Sequence, residues 1–369
     1  MTALRFGYTT GACAAAAAKG AALLLRDGTV ADAVTITLPT GASVSFTLHS
    51  SHHTATAATC SVIKDAGDDP DITNGAEVVA TIWERDQKPG GALLIEGGVG
   101  IGRVTKPGLA VLPGEWAINP VPRRMIEQAV REILPSVSYS VVISIPDGEE
   151  RARKTLNTRL GIIGGLSILG TTGIVRPISA KAWTDTIDTA LNVARACCCR
   201  TVVLCTGRTS ELAAMNYFEA THLPEEAFIM MGDHIAYALQ SCHSHGFMQP
   251  LLACQFGKLL KIACGHANTH AAASDMDLSR LRQWAIAAGL PANLISLISN
   301  ANTAREVAIA SGYDPLLMNL VCDKAEAAIK AHAPSLLPTL LVCGYNGTVI
   351  LSKPAKAMEN SSNHLIAVL

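Results

Sequence analysis

The sequence predicts an α/β protein in two parts: a mixed α+β N-terminal domain, residues 1–147, and a parallel-sheet α/β C-terminal domain, residues 148–369. Three observations carry this reading. From residue 184 onward, short apolar runs alternate with helical stretches, the pattern of parallel strands joined by crossover helices. Before residue 147, Val34–Leu38 and Val44–Leu48 instead alternate apolar and polar residues, as in a hairpin. Pro146-Asp147-Gly148 then ends the last strand of the first part and marks the boundary. A chain of 369 residues also exceeds what one small core accommodates.

Taken in order, Thr9 or Thr10 caps a helix whose alanine run through Ala22 is the strongest helix former available. Alanine on every face permits close packing, or leaves the helix N-terminus to hold an anion. Val34–Leu38 and Val44–Leu48 alternate around Pro39-Thr40-Gly41 as a hairpin. Thr54–Ile63 reads as a strand or short helix, and Val78–Trp83 as a strand. Leu93-Leu94-Ile95 is a short strand, Pro122–Ile133 an amphipathic helix, and Val141–Ile145 a strand. In the second part Thr184–Cys199, Ser210–Phe218, Asp233–Ser244 and Lys258–Ala263 are helical. Between them lie strands at Thr201–Cys205, Glu225–Met231 and Pro250–Cys254. Helices at Leu278–Ala288, Thr303–Ser311 and Pro315–Ala331 follow. Leu340–Val342 and Val349–Leu351 flank Gly344–Gly347 as a final hairpin.

Composition excludes several classes. The formal net charge of -1 offers no polycation for nucleic acid, and no run approaches the roughly 20 apolar residues of a membrane span. Without a signal-peptide core at the start, the expectation is a soluble cytoplasmic protein. Hydrophobic residues at 49% against 16% charged point to a homo-oligomer or a deep interface. Eleven cysteines without a CxxC read as small buried hydrophobes in a reducing compartment.

Chemistry concentrates in a few stretches. Leu93–Arg124 packs Gly97, Gly98, Gly100 and Gly102 beside Arg103, Lys106, Arg123 and Arg124, so its amides and cations suit a binding loop; a structural glycine turn fits equally. A strand, Glu96 and GxGxG resemble the first motif of Rossmann-like methyltransferases. Pro107-Gly108 and Pro113-Gly114 then prevent the helix that motif requires, so that fold is excluded. In Lys64–Glu77, Asp65, Asp68, Asp69 and Asp71 crowd one turn and repel unless a donor or cation sits among them. A hairpin-like return would bring them to Arg103 or Lys106; a solvated turn is the alternative. His266 and His270, four apart, would share a helix face like a metal pair, yet no third ligand stands at recognisable spacing. A metal-dependent hydrolase using Asp68, Asp69, His266 and His270 is one rival reading.

Five blocks in order carry a family resemblance over almost the whole chain: RFGYTTGACAAAAAKGA, DAGDDPDITNGAE, GIGRVTKPGLAV with AINPVPRRMI, LGIIGGLSILGTTGIVRPIS, and FGKLLKIACGHANTHAAASD. Together they resemble the CbiD family of cobalt-precorrin-5B (C1)-methyltransferases. The resemblance implies a CbiD-like fold and methyl transfer from S-adenosyl-L-methionine to C1 of a cobalt-corrinoid precursor in anaerobic cobalamin biosynthesis. Cobalt would then arrive only within the substrate, with no protein-bound metal, and neighbouring enzymes of the pathway would be partners; a non-catalytic tetrapyrrole-binding subunit is the rival that the same resemblance allows. A carboxylate-rich corrinoid needs spaced cations, for which Arg103, Lys106, Arg123, Lys258 and Lys261 are candidates. Asp69, Asp71 and His270 are candidate catalytic groups. Two turns could hold the cofactor: Gly170, Thr171 and Thr172, or Gly207 with Glu211. The chain departs from the family pattern at Cys205-Thr206-Gly207-Arg208, where relatives carry a Pro-Gly-Asn type turn, and at Gln255, where relatives tend to have His.

Overall fold

The computed structural model describes residues 4–85, 93–135, 138–177 and 180–354. The chain divides into two compact units, Met1–Ser179 and Ala180–Leu369. Among the described residues no helix is long and apolar enough to cross a membrane.

In the first unit β1 (Gly7–Tyr8) leads into α1 (Thr10–Asp27), whose Thr9 cap accepts from the Ala12 N–H. Ala12 through Ala18 are buried on every face of α1, and their small size lets the helix lie close to its neighbours. The expected hairpin of β2 (Ala33–Thr37) and β3 (Ser43–Thr47) follows, with Val34 opposite Phe46. Next come β4 (Ser50–His53), β5 (Ala57–Ile63), β6 (Glu77–Glu84), β7 (Leu93–Gly97), β8 (Arg103–Val104), α2 (Pro120–Arg131) and β9 (Tyr139–Ser144). The five-stranded sheet runs β4-β5-β6-β9-β7 and is antiparallel except for β7, which lies parallel to β9. A parallel pair needs a crossover, and the connection containing α2 supplies it. In β6, read from the sequence as a strand at Val78–Trp83, Val78, Ala80 and Ile82 are fully buried while the residues between them are only partly so.

The unit continues through α3 (Gly148–Ala152), β10 (Ile162–Ile163) and β11 (Ile174–Val175). β10 pairs with β8, and β11 with β1. These pairings keep residues 148–177 with the first unit, so the division falls at 179/180 where the sequence pattern places it at 147/148. Two-residue strands carry no periodicity, and Pro146-Asp147-Gly148 is a turn inside the unit.

The second unit holds α4 (Ala180–Ala196), β12 (Val203–Cys205), α5 (Arg208–Tyr217), β13 (Phe228–Met230), α6 (Ile235–Ser244), β14 (Leu251–Gln255) and α7 (Phe256–Ala263). They are followed by α8 (Leu278–Ala287), α9 (Ala292–Asn300), α10 (Ala304–Ala310), α11 (Pro315–His332), β15 (Thr339–Cys343) and β16 (Val349–Lys353). The sheet order is β13-β12-β14-β15-β16, with the first four strands parallel and β16 antiparallel. Leu204 and Leu252 point to a core shared with residues of α4, α6, α7 and α11; Val203, Cys205 and Ala253 point to the opposite face, against Ala213 and Ala214 of α5. Helices thus cover both faces, as the unbroken apolar strands require. This is a doubly wound sheet whose order reverses between β12 and β14. In such sheets a ligand crevice forms beyond the carboxyl ends of the strands at the reversal.

Candidate active site

At the carboxyl edge of the second sheet lies a cavity of about 410 Å³, lined by the segments that leave β13 (Asp233), β14 (Gln255, Gly257, Lys258) and β15 (Tyr345), and by Thr269, His270 and Met276 of the loop after α7. Asp233 organises it. Its Oδ1 accepts from the Lys258 ammonium and from Thr269 Oγ1 at 2.6 Å, and its backbone carbonyl accepts from the Thr269 N–H. Burial pushes the Asp233 carboxyl up, but the bonds from Lys258 and Thr269 outweigh it and hold the group below its ordinary range, as a carboxylate. Tyr345 is half-buried, with Arg305 4.6 Å above its ring. Burial pushes the Tyr345 phenol up, keeping it a neutral hydroxyl.

Of the residues singled out in the sequence, Lys258, Lys261 and His270 meet here. Lys261 is only 9% exposed and donates to the carbonyls of Thr269 and Ser274 at 3.0 and 2.9 Å, so its ammonium ties down the loop. His270 is exposed; its Nδ1 accepts from the Ala272 N–H at 3.2 Å, which puts the proton of the neutral ring on Nε2. His266 does not share a helix face with it. α7 stops at Ala263 because Gly265, at φ +90°, turns the chain, and both histidines lie in the loop beyond. Among the described residues no group of three or more His, Cys, Asp or Glu side chains comes together as a metal-ligand set.

Gly207 caps α5 at the end of β12, where its N–H donates to Ser210 Oγ at 3.1 Å. Glu211 is 3% exposed and pairs with Arg208. Neither lines the cavity. Sequence reasoning misses Asp233 and Tyr345; the signal for the first is an acid directly after an apolar strand, and for the second a turn residue between two strands.

A second, smaller cavity of about 160 Å³ lies in the first unit, lined by Thr9, Thr10, Lys64, Asp71, Thr73, Asn157, Ser167 and Leu169 among others. Lys64 is 1% exposed and bonds Asp71 at 2.6 Å. Burial pushes the Asp71 carboxyl up, yet Lys64 and two donors of Thr73 hold it below its ordinary range. The acidic turn is thus ordered by Lys64, by Arg5, which pairs with Asp65 and donates its N–H to Asp68, and by Arg151, which donates to the carbonyls of Ile72 and Asn74. Asp69 is half-buried in the same turn and does not line the cavity. Gly170 lies directly against Thr9, and Thr172 Oγ1 bonds the backbone of Ile174, so that turn closes over the start of α1; Thr171 is exposed.

The glycine-rich stretch is a packing device. A Cβ on Gly100, at φ +72°, would sit 1.9 Å from the Ile145 carbonyl oxygen. The amides of Gly98 and Gly102 donate to the carbonyls of Ile143 and Leu166 and are not presented to a ligand. Arg123 donates to the Ile95 carbonyl at 2.9 Å, and Lys106 to that of Arg159 at 3.2 Å. Arg103 lies 3.9 Å over the Trp116 ring and bonds the Gly114 carbonyl. Arg103 and Arg124 are exposed.

The family model described as CbiD matches residues 1–177, and that described as CbiD, C-terminal domain, matches residues 268–354. The chain belongs to the CbiD family. A cobalt-precorrin-5B C(1)-methyltransferase of Pelobacter propionicus is 57% identical over 383 residues, covering 96% of this chain and 98% of the relative. One of the same name from Geobacter sulfurreducens is 57% identical over 355 residues, covering 94% and 98%. The crystal structure of a cobalamin biosynthesis protein (cbiD) from Archaeoglobus fulgidus is 28% identical, covers 78% of this chain and 85% of that one, and gives a TM-score of 0.39. The second unit is doubly wound, and in the first unit the glycines of residues 97–102 are packed against their neighbours and open no helix.

Proposed function

We propose that the chain is a cobalt-precorrin-5B (C1)-methyltransferase, transferring a methyl group from S-adenosyl-L-methionine to C1 of the cobalt-corrinoid to give cobalt-precorrin-6A. The observation that carries this is the 57% identity to relatives of that name across both units. The rivals, a metal-dependent hydrolase and a non-catalytic tetrapyrrole-binding subunit, have no comparable support. The donor supplies an electrophilic methyl carbon on a sulfonium. The protein's task is then to align that carbon with the ring carbon and to exclude water.

The cavity beside β13, β14 and β15 suits the donor, since its position at the carboxyl edge of the sheet and its size agree with a small-molecule site. His270, whose Nδ1 accepts from the Ala272 N–H, has Nε2 left for a polar contact to substrate. Lys258, half-buried beside Asp233, orients a carboxylate or the Asp233 side chain itself. The exposed cations Arg103 and Arg124 suit the corrinoid's peripheral carboxylates, while Lys106 and Arg123 donate to the Arg159 and Ile95 carbonyls. In this reading Asp71 fixes the acidic turn through Lys64. The same reading places the enzyme in the cytoplasm, where eleven free thiols stay reduced.

Isothermal titration tests it. Binding of both S-adenosylmethionine and S-adenosylhomocysteine without added divalent metal is expected; absence of binding, or a strict metal requirement, would count against the reading.

A further inference from the structure

We propose that Asp233 grips the ribose of the methyl donor, its Oδ2 accepting hydrogen bonds from the ribose hydroxyls; this deepens, and rests on, the methyltransferase reading. Position is the first argument. β12, the Gly207 turn, α5 and β13 form the βαβ unit that opens the doubly wound sheet, and Asp233 stands three residues past the end of its second strand. A carboxylate there stands in the wall of the cavity at the carboxyl edge of the sheet, and a carboxylate offers only acceptors, which matches the two O–H donors of a vicinal diol.

The bonding of Asp233 is the second argument. Lys258 and Thr269 both donate to Oδ1, and Oδ2 takes no hydrogen bond from any described residue, although Asp233 lines the cavity. An acceptor with open lone pairs is therefore available at the wall. It is also held in place: Thr269 is bonded to Asp233 through both its hydroxyl and its N–H, and Lys261 clamps the carbonyls of Thr269 and Ser274. A carboxylate fixed in this way loses little freedom when a hydroxyl binds. Glu211, the other acid near the edge, is enclosed and paired with Arg208, and it does not line the cavity.

The remaining wall is the third argument. Gly257, Met276 and Tyr345 form a surface with an aromatic ring and a thioether, suited to the flat face of a purine. A Cβ placed on Gly257 would meet the Met276 methyl only at 3.6 Å and the Tyr345 hydroxyl at 3.9 Å, so the space there is open.

Titration calorimetry of the full chain with S-adenosylhomocysteine and its 2′-deoxy and 3′-deoxy ribose analogues tests the assignment. Wild-type protein should bind at least one deoxy analogue about tenfold more weakly, the scale of one charge-assisted hydrogen bond. Asp233→Asn should bind S-adenosylhomocysteine about tenfold more weakly and no longer distinguish it from that analogue. Equal wild-type affinities for all three ligands would overturn the proposal without recourse to any variant, as would full discrimination kept by Asp233→Asn. Failure of wild-type protein to bind S-adenosylhomocysteine at all would instead overturn the methyltransferase reading beneath it.

Discussion

The Lys64 ammonium, 1% exposed, bonds Asp71 Oδ2 at 2.6 Å, while Asp71 Oδ1 accepts from the Thr73 N–H and Oγ1–H, each at 2.7 Å. The lysine end of this pair is closed to water, while the Asp71 side chain is 24% exposed. Removing one partner leaves a buried charge without compensation, so Asp71→Asn should cost about 3 kcal/mol in urea unfolding. Replacing both, as Lys64→Met with Asp71→Leu, should recover most of that loss. A cost below about 0.5 kcal/mol for Asp71→Asn would show the turn to be solvated.

The same pair sets a pH dependence. Because the folded Asp71 carboxyl lies below its ordinary value, its contribution is fully present above about pH 3.9 and is lost as pH falls through the lower folded value. The stability difference between wild type and Asp71→Asn should therefore be constant from pH 7 to pH 5 and shrink on further acidification. A difference that grows below pH 4 would contradict the assignment.

Gly100 should tolerate no side chain. Its φ of +72° and the Ile145 carbonyl oxygen, 1.9 Å from where an added methyl would lie, predict that Gly100→Ala destabilises the first unit by about 3 kcal/mol. Chemical denaturation reads this directly. A change under about 1 kcal/mol accompanied by weakened ligand binding would mean that the glycine run contacts ligand after all.

Thiol chemistry should divide by position. Burial pushes the thiols of Cys13, Cys242, Cys322 and Cys343 up to about 12, whereas Cys198 is exposed at the end of α4. Iodoacetamide at pH 8 should label Cys198 in the native protein and reach those four only after unfolding. Labelling of Cys13 at a rate like that of Cys198 would contradict the enclosed α1.

Much of the fold is legible in the sequence because its signals are local. The alternation in β2, β3 and β6 and the apolar runs of β12, β14 and β15 each lie within a few consecutive residues, and their Gly and Pro boundaries are equally local. β4, Ser50–His53, is polar and exposed along most of its length, and α9 begins immediately after Pro291, so neither announces itself. The unit boundary is hidden because β10 and β11 are two residues each and gain meaning only from partners far away in sequence.

The site divides in the same way. Lys258 and His270 are legible as charged or polar residues within one dense block, FGKLLKIACGHANTH. Asp233 and Tyr345 are not, because only the parallel sheet brings the ends of β13, β14 and β15 to one edge. Lys261 looks like a substrate cation, and spacing alone does not show that its ammonium is engaged by two carbonyls. Lys64 is inconspicuous beside four aspartates, although it is the residue that neutralises one of them.

The central claim is methyl transfer to the corrinoid ring, and its most direct measurement uses purified protein, cobalt-precorrin-5B and S-adenosylmethionine carrying an isotopically labelled methyl group, in anaerobic buffer. The account predicts a product that has gained one labelled methyl at C1, formed together with S-adenosylhomocysteine in equal amount. Unlabelled corrinoid recovered under conditions where the donor binds would contradict it.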